Sequence, residues 1–142
     1  MLTGCETINI TGVFYGTEFD GGIYEIMPGE ECNGRPIWQK VRSKRFLYYT
    51  SGGKLSNWEP GWTVKWYSDF TALECTKVGQ IFAYSDEYCP NNVTVGTWFE
   101  KNGDGELVPS DTVRVECGEF KTYNHCLCKI LEWTWQKTNS SQ

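Results

Sequence analysis

The sequence predicts an all-β fold: a small antiparallel sandwich or irregular barrel of eight to ten short strands, stapled by disulfides. Three observations carry this. Apolar residues recur with a period of two and not at helical spacing. Gly, Pro and Asn-Gly or Asp-Gly signals punctuate the chain at the regular intervals of short strands. Seven cysteines, at 5, 32, 75, 89, 117, 126 and 128, lie in a chain of 142 residues, enough for one domain with a real core.

The elements follow in order. Ile8 and Ile10 alternate with polar residues before Thr11-Gly12, and Asp20-Gly21-Gly22 reads as a turn. "IYEI" (23–26) is a strand, "MPGEECNGRP" a loop, and "IWQKV" and "FLYYT" flank the basic turn Arg42–Lys44-Arg45 as a hairpin. In that hairpin the aromatics should alternate between core and surface, which leaves Trp38 or Tyr49 exposed. "GWTVKW" places Trp62, Val64 and Trp66 on one face, and "QIFAY" and "VTVGTWFE" are further strands. "KNGDGE" is a tight hairpin turn, and "TVRVEC" aligns Val113, Val115 and Cys117. The one helical candidate is short, around Asp69–Thr76.

Two units are expected: a cysteine-bracketed β-module over 1–118, and a C-terminal strand with a polar tail over 119–142. In "CLCKILEWTWQ" (126–136), Leu127, Lys129, Leu131, Trp133 and Trp135 alternate with Cys126, Cys128 and Ile130. That strand needs a sheet to pair with, in its own module or on a neighbouring subunit. Cys126 and Cys128 share one strand face, a poor geometry for bridging each other.

Charge and cysteine usage narrow the setting. Thirteen basic against 18 acidic residues, with no basic stripe, disfavour nucleic acid as a partner. No C-x-x-C pair occurs, so disulfides in an oxidising compartment are the better reading. Three sequons, at Asn9, Asn92 and Asn139, agree with N-glycosylation of an extracellular or secreted protein. "MLTGCETINI" has no apolar signal core and no stretch reaches membrane-spanning length, so the segment does not insert in a membrane. We read it as a mature or excised part of a longer product.

The signals from Cys5 to Cys117 resemble a cysteine-bracketed extracellular β-module. The resemblance rests on Cys5 opening a strand, "GGIYE", "NGRPIWQK", "FLYY", "GWTVKW", Cys89-Pro90, Trp98 and "VRVEC", and covers about four-fifths of the chain. It implies an all-β ectodomain whose first and last cysteines, Cys5 and Cys117, pair. Cys75 and Cys89 are a further candidate pair, across a local excursion. That leaves Cys32, Cys126 and Cys128, and seven cysteines cannot all pair within one chain.

No catalytic centre, cofactor or metal site is expected. His125 stands beside Cys126 and Cys128, but the cluster lacks the two-residue separations of zinc sites. Asn102, Asp104 and Glu106 are a fragment of a calcium loop, which Asn-Gly plus Asp-Gly explains as a turn. Glu18, Asp20, Glu25, Glu30 and Glu31 form no recognisable acid–base pair. The functional expectation is a non-catalytic structural or adhesive glycoprotein module, a subunit of a fibre or matrix assembled by strand addition, with protein partners or itself as ligand. The alternative is a carbohydrate-binding module or lectin with an aromatic patch at Tyr49, Trp58 and Trp62.

Overall fold

A computed structural model describes residues 5–15, 20–52, 60–94 and 96–120. Within them the protein is all-β. The strands are β1 (Cys5–Thr11), β2 (Gly22–Cys32), β3 (Arg35–Lys40), β4 (Arg45–Thr50), β5 (Gly61–Trp66), β6 (Ile81–Tyr84), β7 (Trp98–Lys101), β8 (Leu107–Ser110) and β9 (Arg114–Phe120). All neighbours pair antiparallel in one nine-stranded sheet, ordered β8-β7-β6-β5-β4-β3-β2-β1-β9.

That order forces curvature. β8 and β9 are the two edges of the sheet, yet only residues 111–113 connect them. Such a link reaches about 14 Å, whereas a flat sheet of nine strands is about 38 Å across. The sheet therefore curls into a half-barrel, and a sandwich is not what forms. At the seam, the Thr112 hydroxyl donates to the Gly12 carbonyl at 2.6 Å. A side chain on Gly12 would collide with the Thr112 carbonyl, so only glycine fits this crossing.

Alternation separates two cores. Ile8, Ile10, Tyr24, Trp38, Leu47, Tyr49, Trp62, Val64, Ile81, Trp98 and Val115 fill the concave side. Ile37, Phe46, Tyr48 and Tyr67 form a second cluster on the convex side of β3–β5, with Phe70 and Leu73 packed against it. The cover comes from the connection between β5 and β6, residues 67–80, which carries one 3-10 turn at Phe70–Ala72. Asp69 caps that turn by accepting from Phe70 N at 2.8 Å. The helix expected around Asp69–Thr76 is thus a single turn. A disulfide, Cys32–Cys75, pins the segment to the end of β2.

Several boundaries differ from expectation. β2 continues through "MPGEEC" to Cys32, accommodating Pro28 and Gly29 where its register with β3 shifts between Ile26 and Glu31. The loop there shrinks to Asn33-Gly34, both at positive φ (53° and 79°), with Cys32 facing Arg35. That is the two-residue turn that matches the strand twist. β7 begins only at Trp98, and β8, "LVPS", follows the "KNGDGE" turn as an edge strand that tolerates Pro109.

Candidate functional site

The expected aromatic patch loses two of its three members to the core. Trp62 and Tyr49 are buried, and so is Trp38. β4 has a covered surface on both sides, so its aromatics never reach solvent. The polar tips of Tyr49 and Trp62 instead tie down the loop after β6: Tyr49 OH donates to the Ser85 carbonyl at 2.7 Å, and Trp62 Nε1 to the Glu87 carbonyl at 2.9 Å. The Arg35 guanidinium stacks 3.7 Å over the Tyr49 ring and donates to the Asp86 carbonyl at 3.1 Å. Tyr88 closes the group by donating to the Gly34 carbonyl at 2.8 Å. These residues plug one end of the half-barrel. Trp58 lies outside the described residues.

The cysteines also rearrange. Cys75 bonds Cys32, so the Cys75–Cys89 pairing is overturned. The physical reason is the covering segment, which carries Cys75 across the convex face to the end of β2, while Cys89 is buried in the concave core. Cys117 is disulfide-bonded. Its expected partner Cys5 starts β1, but the Cys5 side chain is outside the described residues, as are Cys126, Cys128 and His125. Of the sequons, Asn92 is exposed at the end of a 3-10 turn, Pro90–Asn92. Asn9 is half-buried in the middle of β1, between Ile23 and Glu116. Asn139 lies outside the described residues.

Asn102 behaves as a turn residue: its Oδ1 accepts from Asp104 N at 2.9 Å and Glu106 N at 3.0 Å, which leaves no loop to wrap a cation. Among the described residues, no group of three His, Cys, Asp or Glu side chains could hold a metal ion. Glu25, Glu30 and Glu31 are exposed along β2, and Glu18 is outside the described residues. Asp20 is buried, and its Oδ1 accepts from Arg45 Nε at 2.9 Å. Tyr24 OH donates to the Asp20 carbonyl at 2.6 Å. Burial first, then the Asp20 charge, pushes the Tyr24 phenol well above its usual range. Lys40 on the same rim is lowered, by burial and then by Arg45.

One buried acid has only a faint signal in the sequence. Glu100 is 1% exposed, and its Oε1 accepts from Phe14 N at 2.8 Å and Tyr15 N at 3.0 Å, across the seam. Its Oε2 has no hydrogen-bond partner among the described residues. The only signal was its place two residues after Trp98 on an inward-facing strand. A cleft of about 450 Å³ lies beside the β7–β8 turn, lined by Val78, Lys101, Gly105, Glu106 and Leu107. Burial, then Lys65, lowers the Lys101 pKa.

The remaining feature is the pair of sheet edges. β8 is four residues long and interrupted by Pro109, which removes a donor. β9 is seven residues long, paired on one side to β1; among the described residues no strand pairs with its other side. Such an edge offers a row of backbone donors and acceptors. No helix among the described residues is long and apolar enough to cross a membrane. No family model, curated protein or solved structure matches this chain.

Proposed function

We propose that this chain is a non-catalytic, extracellular structural or adhesive glycoprotein module, a subunit of a fibre or matrix assembled by strand addition. The observation that carries the reading is the long edge of β9. A strand laid there gains main-chain hydrogen bonds, while alternate side chains supply specificity. The alternating segment 126–136 has the composition of a donor strand. The disulfide Cys32–Cys75 supports an oxidising compartment, and exposed Asn92 offers a site for an N-linked glycan. Repeated head to tail, donor to β9, the contact builds a filament. The carbohydrate-module alternative has lost two of its three aromatics to the core.

The test is the mass in solution of the full chain, of a chain lacking 121–142, and of a Cys126→Ser/Cys128→Ser variant, by light scattering across concentration. The full chain and the serine variant are expected to assemble and the truncated chain to remain monomeric. A synthetic 121–142 peptide should cap the full-length assembly. A monomeric full chain, or a truncated chain that assembles equally well, overturns the proposal.

A further inference from the structure

The end of the half-barrel opposite the plug is rich in cations. Lys40 ends β3, Arg42 and Lys44 stand exposed in the turn, and Arg45 opens β4. Four of the chain's 13 cationic side chains therefore fall within six positions of an otherwise acidic protein. Of the carboxylates nearest by register, Asp20 is already held by Arg45, and Glu25 lies beside Gln39 on the flank.

Register joins these cations to exposed apolar groups. Trp66 faces Arg45 across the β4–β5 pair and is 51% exposed. Tyr67 N donates to the Lys44 carbonyl at 3.0 Å, and Val41 N to the Ile23 carbonyl at 2.9 Å. Ile23 and Val41 are exposed on the flank. The turn is held in shape by Gln39 Nε2 donating to the Ser43 carbonyl at 2.8 Å and Ser43 N donating to the Lys40 carbonyl at 3.1 Å. Arg42 sits at φ 57°, a backbone conformation that glycine adopts with less strain. The turn thus displays a long cation where a smaller residue would suit the backbone better.

We infer that this rim, Lys40, Arg42, Lys44 and Arg45 with the Trp66 ring, is a binding surface for a sulfated polysaccharide. A polyanion lying across the strand ends would displace counterions as the cations engage its sulfates. The indole offers an apolar face to a sugar ring and a polar edge to its substituents. A lipid surface fits less well, because the tip of the turn is Arg42-Ser43-Lys44 and no apolar side chain leads. The inference rests on the extracellular part of the proposed function and not on assembly.

The probe is heparin, immobilised and in solution, against the full-length chain at physiological salt. The chain should be retained and released by added salt. Arg42→Gly with Lys44→Ser should weaken binding at least tenfold while leaving the fold intact, since glycine suits that φ. Trp66→Ala should weaken it several-fold, and Lys77→Ser, an exposed cation on the covering segment, should not change it. Three results would each overturn the inference: flow-through of the wild type, equal binding by the double variant, or an equal loss in Lys77→Ser. Preference for phosphatidylserine vesicles over heparin would also overturn it, in favour of a membrane surface. A full chain that binds heparin but stays monomeric removes the assembly reading alone; an assembling chain that ignores heparin removes this one.

Discussion

Residues 67–80 lie over the convex face under a disulfide, whereas residues 12–15 cross the seam under a single carboxylate. The first segment buries Tyr67, packs Phe70 and Leu73 against Phe46 and Tyr48, and is anchored covalently at Cys75. The second leaves Phe14 76% exposed and is held by two hydrogen bonds to Glu100 and one from Thr112. The contrast shows two ways of restraining chain outside a curled sheet. A covering segment with apolar cargo becomes a second core, and its crosslink acts mainly on the unfolded chain. A strap without cargo depends on one acid whose second oxygen has no partner among the described residues.

Removing the crosslink should have the largest effect. Cys32 and Cys75 are 43 residues apart, so Cys32→Ala with Cys75→Ala should cost about 4 kcal/mol in urea unfolding, on the chain-entropy account. Amide exchange should rise in 67–80 and stay unchanged at Phe14 and Tyr15. Next, Glu100→Ala should cost about 2 kcal/mol, the loss of two charge-assisted bonds less the relief of a buried charge. Here exchange should rise at Phe14 and Tyr15 only. Because the sites share no contact, the combined variant should be additive within about 0.5 kcal/mol; a larger departure would show that the two straps are one unit.

The smallest effect is on alkaline pH. The Tyr48 hydroxyl donates to the Lys77 carbonyl at 2.8 Å and lies 2.6 Å from the Tyr67 hydroxyl. Burial, then the Tyr67 hydrogen bond, raises its pKa well above the usual phenol value of 10.0. Tyr24 is raised likewise. A folded-state pKa above the unfolded value contributes stability that is complete below pH 10 and is lost as pH rises. Stability should therefore fall by about 1 kcal/mol for each of these tyrosines between pH 10 and 11. Tyr48→Phe should remove one share of that slope, read from urea midpoints at each pH.

The strands were legible where alternation or a continuous apolar run marked them. "IWQKV", "FLYYT", "GWTVKW" and "QIFAY" all coincide with β3 to β6. In the run Phe46-Leu47-Tyr48-Tyr49, four apolar residues in succession mark a strand covered on both faces. Reading it as alternately exposed placed a recognition patch on Tyr49 that packing denies. β8 escaped because Pro109 argues against a strand except at an edge, and edges are known only once the order of strands is known. The Cys32–Cys75 pairing depends on the path of residues 67–80, and the role of Glu100 on a contact 86 positions away. Neither leaves a local trace.

The pairing of β9 with β1 also has a consequence in time. Cys5 opens the first strand and Phe120 ends its neighbour, so the register Ile8 to Cys117 closes more than a hundred residues of chain. During synthesis β1 to β8 can zip together as successive hairpins, but the outer edge of β1 waits for nearly the whole module to emerge. Contacts of such long sequence separation slow folding, because the loop must be ordered before the contact rewards it. Of the described strands, the last to leave the ribosome is therefore the one that completes the sheet, and until it arrives the outer edge of β1 is open to any passing strand.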